Sequence, residues 1–229
     1  MKVHTRRGLS VLMVAAVSLA GIVGVHAQAQ LPSSAKIQPS DRAKVLELLT
    51  KGDTPGADKM LTELQAQLHA GPALPGIANA VDAGSIFFEE LKSCGFYPQE
   101  TRLECVIEIK RTSGYNGGAA AVGSMEHVYF CVDWNNNGVF TQLESAGQGS
   151  VQMHDGSGNP PWSYAVYRDF NLFGGTRTGP GGVGVLTTTT APTVKVQATL
   201  SWNFAPTGCN YLPVWGNTLV FQIRLDPIR

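Results

Sequence analysis

The first part of this 229-residue chain lacks aromatic side chains: no Phe, Trp or Tyr occurs before Phe87. Aromatic residues supply a large share of the area that a globular core buries. A core of large side chains is therefore excluded from the first third of the chain. The main folded domain is predicted to occupy residues 85–229.

Acidic residues are absent from residues 1–29, where Lys2, Arg6 and Arg7 precede an uncharged apolar run from 8 to 25. A basic start, an apolar run and small residues after it are typical of a secretory signal peptide. A membrane anchor is the alternative, but the run is short for a span of roughly 20 residues. The arginine pair also resembles a twin-arginine export signal. We expect a cleaved signal and a secreted, periplasmic or cell-surface protein.

Positive charge is scarce once this signal is removed. Cleavage takes away three of the 17 basic residues and none of the 17 acidic ones, which leaves a formal net charge of −3 (14 minus 17). Such a chain lacks the positive field that a phosphate backbone requires, so nucleic acid is excluded as a partner. No second apolar run is long enough to cross a bilayer, and no membrane span is expected after cleavage.

The common catalytic motifs are missing: the chain contains no G-x-S-x-G, no H-E-x-x-H and no phosphate-binding glycine loop. A hydrolase needs a nucleophile in contact with a base. His154 beside Asp155, with Ser157 close by, is the only such grouping, and neighbours in sequence seldom face each other productively. No catalytic residue is predicted. A secreted hydrolase acting on glycan or peptide is kept as an alternative.

Cysteines are few, but Cys94, Cys105, Cys131 and Cys209 all follow the signal. An even number of cysteines in an exported protein predicts two disulfides. Four cysteines allow three pairings. Cys105 and Cys131 both lie in strand-like runs and could bridge neighbouring strands, which would leave Cys94 with Cys209. A zinc site is not expected, because C-x-x-C pairs and clustered histidines are absent.

Two short helical patterns occupy residues 30–71. Ser40 is the predicted N-cap of a first helix that ends at Gly52, and Thr54 opens a second helix with one apolar face. The resulting helical hairpin is interpreted as a docking or spacer element. Its junction faintly resembles one helix pair of a tetratricopeptide repeat, although a single copy cannot form a solenoid. Residues 72–84, rich in Pro, Ala and Gly, are predicted to form a linker.

Beyond this linker the hydrophobic period changes to two, which is typical of strands with one buried face. The predicted strands lie near residues 85–92, 103–110, 127–134, 149–154, 162–168, 194–202 and 219–226. About seven strands without a long helix between them favour an all-β fold. We predict an antiparallel Greek-key, jelly-roll-like β-sandwich preceded by the helical hairpin.

The stretch "VYFCVDWNNNGVFTQLES" carries the spacing of a calcium-binding loop. A twelve-residue calcium loop takes its ligands from positions 1, 3, 5, 7 and 12, with glycine at position 6. Gly138 stands at that position here, and Thr141 stands at position 9. The predicted oxygen ligands are Asp133, Asn135, Asn137, the carbonyl of Val139 and Glu144. Calcium would be a structural cofactor of low affinity, because only two ligands are charged. A plain turn is the alternative, since Asn-Asn-Gly also forms tight hairpin turns.

The same stretch is similar to the Val-x-x-Asp-x-Asn-x-Asp-Gly-x-Phe signature of GEVED-type β-sandwich modules, which occur in secreted and surface bacterial proteins. Asp133, Asn135, Gly138 and Phe140 match that signature, and Asn137 stands where an Asp is usual. The resemblance covers about 20 residues. It implies a non-catalytic, exported bacterial β-module and does not identify a ligand.

Several aromatic residues fall at predicted strand ends or in loops, where their rings could stack on sugars or on partner surfaces. They are Trp134, Trp162, Tyr164, Tyr167, Tyr211 and Trp215. The candidate ligand-binding residues are Trp134, Trp162 and Tyr164, and "NPPWSYAVYRDF" is the candidate exposed platform. Such residues also complete the cores of sandwiches, which is the competing interpretation.

These patterns together predict an exported, non-catalytic module for carbohydrate binding or adhesion. Its partner would be a glycan or a surface protein, bound at or outside the cell surface. Besides the hydrolase, a structural component of the cell envelope is an alternative.

Overall fold

Two antiparallel sheets contain the strands of the C-terminal region. The computed structural model describes residues 37–69, 84–169 and 193–225. The elements are α1 (Pro39–Thr50), α2 (Thr54–His69), β1 (Glu89–Tyr97), β2 (Arg102–Ile109), β3 (Ser124–Asp133), β4 (Ser145–Met153), β5 (Trp162–Asp169), β6 (Thr193–Trp202) and β7 (Thr218–Arg224). One sheet has the order β1-β2-β5 and the other has the order β4-β3-β6-β7. The prediction of an all-β sandwich preceded by a helical hairpin is confirmed.

The first strand lies further along the chain than its predicted range of 85–92. Ser85 instead makes an isolated parallel bridge with Trp215, which lies outside the strands, in the connection between β6 and β7. β1 then pairs with β2 from Glu89 opposite Ile109 to Tyr97 opposite Arg102. As a consequence, Tyr97 belongs to the sheet.

The two helices are capped by acidic side chains rather than by Ser40. The backbone N–H of Gln38 donates to Asp41 Oδ2 at 3.0 Å, and Pro39 occupies the first helical position, where its missing N–H costs nothing. Ser40 therefore lies within the first turn. The backbone N–H of Gly56 donates to Asp53 Oδ1 at 3.0 Å at the start of α2.

The helical hairpin packs directly on the sandwich. Its buried side chains belong to the same hydrophobic cluster as those of the two sheets; they include Ile37, Val45, Ala57, Leu61, Leu64 and Leu68. Gln65 Nε2 also donates to the carbonyl of Leu212 at 3.2 Å. The hairpin and the sandwich form one compact unit. Neither helix is long and apolar enough to cross a membrane, a finding that concerns the described residues alone.

The two predicted disulfides are present, but the pairing of Cys105 with Cys131 is wrong. Cys94 bonds Cys105, and Cys131 bonds Cys209. Cys94 and Cys105 stand directly opposite each other on β1 and β2. Cys131 lies on β3, in the other sheet, so it is not a neighbour of Cys105.

The connection between β6 and β7, residues 203–217, covers part of the outer face of the four-stranded sheet. Cys209 attaches it to β3, and Gln197 Nε2 donates to the carbonyl of Cys209 at 2.6 Å. The outward side chains of Thr199 and Ser201 on β6 are each 2% exposed as a result. The polar residues that alternate along β6 therefore lie on a face that the connection covers, and not on a face exposed to solvent.

The margins of the two sheets approach each other on both sides of the sandwich. On one side, Asn217 substitutes for a neighbouring strand: its Oδ1 accepts the N–H of Leu91 at 2.7 Å, and its Nδ2 donates to the carbonyl of Leu91 at 3.2 Å. On the other side, β4 lies so near β5 that a Cβ at Gly149 would come within 2.2 Å of the carbonyl oxygen of Tyr167. Only glycine permits this approach.

Candidate functional site

The loop from 133 to 144 begins where β3 ends, and its first side chain is wholly buried. Asp133 Oδ1 accepts the N–H of Asn137 at 3.0 Å, and Oδ2 accepts the N–H of Gly138 at 2.8 Å. Gly138 has φ +79, a conformation that glycine adopts without strain. Asp133 therefore organises the turn by binding its backbone.

The two asparagines continue the same pattern. Asn135 Oδ1 accepts the N–H of Asn137 at 3.0 Å, and Asn137 Oδ1 accepts the N–H of Val139 at 2.8 Å. Side-chain oxygens that bind backbone amides two residues on form Asx turns. Each of these oxygens has a second lone pair. The predicted ligand oxygens thus shape the loop and keep acceptor capacity.

Glu144 closes the loop and holds one unpaired oxygen. The residue is 5% exposed, and its Oε2 accepts the N–H of Thr141 at 2.8 Å and the hydroxyl of Thr141 at 3.0 Å. Its Oε1 is buried and has no hydrogen-bond partner. A carboxylate oxygen in that state fits a hard cation. In the described ranges, however, no group of three or more His, Cys, Asp or Glu residues could hold a metal ion.

The predicted ligand-binding aromatics lie on the inner side of the sandwich. Trp162 stands opposite Ile109 and Tyr164 stands opposite Ile107, so both share the face of the buried isoleucines. Trp134, which follows β3, is likewise partly buried against the core. The exposed ring of β5 is that of Tyr167, on the other face of the strand.

The outer face of the three-stranded sheet carries two exposed tyrosine rings. Tyr97 is 46% exposed and Tyr167 is 52% exposed. Tyr97 stands opposite Arg102 on β2, and Glu104, the next outward residue of β2, stands opposite Tyr167. We call this surface, made of Tyr97, Arg102, Glu104, Tyr167 and Asp169, the tyrosine face.

Arg102 organises the centre of the tyrosine face. Its Nε lies 2.6 Å from Asp169 Oδ1 and its Nη2 lies 3.2 Å from Asp169 Oδ2, which is a two-pronged ion pair. Its guanidinium carbon lies 4.0 Å from the centroid of the Tyr167 ring. The hydrogen bonds from Arg102 hold the pKa of Asp169 below its usual value. The face thus combines rings with fixed, charged hydrogen-bonding groups.

Gly95 leaves an open depression within the tyrosine face. It stands opposite Glu104, in the same cross-strand row as Tyr167. A Cβ at this position would meet no atom within 4 Å. The surface of β1 next to Tyr97 is therefore open to a ligand at Gly95.

Two polar groupings bear on the hydrolase alternative. His127 Nδ1 lies 2.8 Å from Ser150 Oγ on the outer face of the four-stranded sheet, and burial lowers the pKa of His127. Within the described part of the chain, no carboxylate binds this imidazole to orient it.

Asp155, the neighbour of His154, is engaged elsewhere, since its oxygens accept the N–H groups of Tyr115 and Gly117 at 2.8 and 3.1 Å. His154 Nε2 contacts the carbonyl of Ala121 instead. His154 and Asp155, the grouping that the hydrolase alternative would use, thus each bond other residues.

A cluster of three buried charged residues, Arg42, Glu89 and Glu126, lies inside the molecule. The sequence analysis predicted no functional residue there. Arg42 of α1 and the carboxylates of Glu89 and Glu126 are all 0% exposed. Arg42 Nη1 lies 2.6 Å from Glu89 Oε1 and 2.7 Å from Oε2, and its Nε donates to the carbonyl of Gly114 at 3.1 Å. Glu126 Oε1 lies 3.7 Å from Arg42 Nη2.

Aromatic rings surround this guanidinium. Its central carbon lies 4.2 Å from the ring centroid of Trp202, 4.3 Å from that of Phe88, 5.1 Å from that of Tyr115 and 6.0 Å from that of Trp215. Burial raises the pKa of both glutamates, and Arg42 opposes the rise at each. The rise is larger at Glu126, where the neighbouring Glu89 adds to it. Glu89 is the ion-pair partner of Arg42, because both of its oxygens bond Nη1.

Tyr97 and Arg42 were missed because their signals in the sequence are weak, whereas Tyr167 was named among the aromatic residues but not among the predicted ligand-binding ones. Tyr97 lay outside the predicted first strand, and Tyr167 could be assigned to the outer face only once β5 was aligned with β2. Arg42 precedes Val45 by one helical turn, which places it on the buried face of α1.

Comparisons of the chain with protein-family models, with curated proteins and with solved structures found no significant match.

Proposed function

We propose that this protein is an exported, non-catalytic β-sandwich module that binds a glycan through its tyrosine face, at or outside the cell surface. The observation that carries the proposal is the pair of half-exposed rings on one face of the sheet, with Tyr97 opposite Arg102 and Tyr167 under the Arg102 guanidinium. The resemblance to exported β-modules around residues 128–145 agrees with a binding role.

A glycan fits this surface better than a protein partner does. The tyrosine face is rich in charge, and the centres of protein interfaces are depleted in charged residues. A sugar has apolar C–H faces that stack on rings and hydroxyl groups that bond to Arg, Asp and Glu. The alternation of rings with Arg102, Glu104 and Asp169 supplies both kinds of contact in one plane.

Export is supported by the N-terminal signal pattern and by the two disulfides. Disulfides persist in oxidising compartments, and two are typical of an extracytoplasmic protein of this size. The secretory pattern of residues 1–29 agrees with a location outside the cytoplasm.

Calcium is proposed as a structural cofactor of the loop from 133 to 144. Support comes from the oxygens of Asp133, Asn135 and Asn137, which keep free lone pairs, and from the unpaired buried oxygen of Glu144. Two charged ligands predict an affinity in the range of about 10⁻⁴–10⁻³ M, as in extracellular modules.

The experiment that tests the proposal is glycan retention by the mature protein, measured on an array of cell-surface polysaccharides and then by affinity electrophoresis. Tyr167→Ala and Tyr97→Ala should each weaken binding at least about tenfold, which is the loss expected for an aromatic contact worth about 1.4 kcal/mol. Both variants should fold like the wild type, because both rings are exposed.

Phe87→Ala is the matched control. Phe87 is 40% exposed and has the guanidinium of Arg111 4.0 Å from its ring, but it is not part of the tyrosine face. Its loss should leave binding unchanged. Equal binding by wild type, Tyr97→Ala and Tyr167→Ala would refute the proposal, as would binding to an immobilised protein but to no glycan.

A further inference from the structure

We propose that the sandwich contains a binding site for a guanidinium group, and that Arg42 of the chain's own first helix is the side chain that occupies it. The inference goes beyond the glycan-binding role and uses none of its residues. It concerns the buried cluster of Glu89, Glu126, Phe88, Tyr115, Trp202 and Trp215, which we call the guanidinium site.

The site and its occupant come from different parts of the fold. Every carboxylate and every ring of the guanidinium site follows the helical hairpin in the chain, whereas Arg42 alone comes from that hairpin. Arg42 and Glu89 are 47 positions apart in sequence. The side chain of Arg42 therefore inserts from the hairpin into a site whose carboxylates and rings all come from the later part of the chain.

The contacts select a planar cation. Both oxygens of Glu89 accept from one nitrogen of the group, Nη1, and the carbonyl of Gly114 accepts its Nε hydrogen. The rings of Phe88 and Trp202 lie within 4.3 Å of its central carbon. A guanidinium is flat, offers donors in a fixed fork and stacks on aromatic faces. An ammonium ion can bond Glu89, but it has no flat face to stack on these rings, so it should bind this site weakly.

The site also has polar capacity that Arg42 does not use. Both oxygens of Glu126 are buried without a hydrogen-bond partner, and so are Arg42 Nη2 and the indole nitrogens of Trp202 and Trp215. Buried polar atoms in that state cost free energy. Arg42 thus leaves the carboxyl group of Glu126 without a hydrogen bond, and a small guanidinium that is not attached to α1 is free to move toward it.

The test is chemical rescue of Arg42→Ala in the mature chain. Removal of the arginine leaves Glu89 buried without its cation, and the variant should melt well below wild type. Methylguanidinium should raise its melting temperature in a saturable manner, by roughly 3–6 °C at about ten times the dissociation constant. Methylammonium at the same concentration should produce no rise, and the wild type should not respond to either cation.

Two variants separate a specific site from a general effect. Leu64→Ala makes a cavity in the same hairpin without removing a charge, because Leu64 is a buried apolar residue, and it should not be rescued. Addition of Glu89→Gln to Arg42→Ala should abolish the rescue. Rescue of Leu64→Ala, or equal rescue by methylammonium, would overturn the proposal.

The proposal stays testable if Arg42→Ala does not fold by itself. The variant would then be refolded by dilution, with and without methylguanidinium, and its β-sheet content measured by circular dichroism. Recovery of the native spectrum only with methylguanidinium is the expected result. No recovery with either cation would overturn the assignment.

Discussion

Arg42 and Glu89 form a wholly buried ion pair that joins the first helix to the first strand, with Nη1 2.6 Å from Oε1. Glu126 lies on the far side of the same guanidinium at 3.7 Å. One positive charge thus faces two carboxyl groups in a site with no access to water. Because an unpaired buried charge is costly, the second carboxyl is expected to hold its proton.

Glu126→Gln tests this expectation through pH. The raised pKa of Glu126 means that folding favours its neutral form, so the stability is fully present below the ordinary pKa and is lost as the pH rises toward the folded-state pKa. Glutamine imitates the neutral form at every pH. The variant should melt close to wild type at pH 4 and at least about 3 °C above it at pH 8, roughly 1 kcal/mol for a chain of this size.

Glu89→Gln is the control for that experiment. It removes the carboxylate that bonds Arg42 twice, and should lower the melting temperature at both pH values. A Glu126→Gln protein less stable than wild type at pH 8 would show that Glu126 is ionised in the fold.

Asp133→Ala tests the loop from 133 to 144 as a calcium site. The variant should lose stability even in EDTA, because two backbone N–H groups lose their acceptor. Calcium at millimolar concentration should raise the melting temperature of wild type and leave that of Asp133→Ala unchanged.

The matched control for calcium is Asp155→Ala. Asp155 also accepts two backbone N–H groups, but in a different loop. This variant should lose stability in EDTA and still respond to calcium. Coincident melting curves for wild type in EDTA and in calcium would assign the loop to a plain turn.

Trp162→Ala and Tyr164→Ala test the inward side of β5. Both side chains pack against the core, so each replacement should lower the free energy of unfolding by about 2 kcal/mol or more. Tyr167→Ala on the same strand should cost less than about 0.5 kcal/mol, as is usual for an exposed residue. Urea denaturation measures all three; a negligible loss for Trp162→Ala would return that residue to the list of ligand contacts.

The two disulfides should contribute unequally to stability. Cys131 and Cys209 are 78 positions apart, whereas Cys94 and Cys105 are 11 apart. By the loop-entropy relation, the long bridge contributes about 4.5 kcal/mol and the short bridge about 2.8 kcal/mol. Replacement of each pair by alanine, followed by denaturant unfolding, measures the difference. The variant without the Cys131–Cys209 bond should also show faster amide hydrogen exchange in residues 203–217. Unchanged exchange in these residues would contradict the role of this disulfide in fixing the connection between β6 and β7.

The strands were predictable because the alternation of side chains is a local property. β6 shows this well, since Val194, Val196 and Leu200 alternate with polar residues and are all buried. The sequence could not reveal that Thr199 and Ser201 on the opposite face are covered as well. That burial depends on a distant segment, the connection that Cys209 fixes to β3.

The contacts between residues that are far apart in the chain could not be predicted from the sequence. The bond between Cys94 and Cys105 depends on the register of β1 against β2, and the composition of the tyrosine face depends on the register of β2 against β5. Arg42 was hidden for a different reason. A lone arginine in a short polar helix is normally solvated, and only the later carboxylates make its burial possible.

Asn217 has a consequence for the association of the protein with other chains. A strand at the margin of a sheet offers free N–H and C=O groups to any passing chain, which is how sheets polymerise. The side-chain amide of Asn217 bonds both the N–H and the C=O of Leu91, as a peptide group of a neighbouring strand would. The opposite margin is shielded by the close approach of β4 to β5 at Gly149. Asn217→Ala frees both groups of Leu91, so at high concentration the variant should associate edge to edge more than the wild type does.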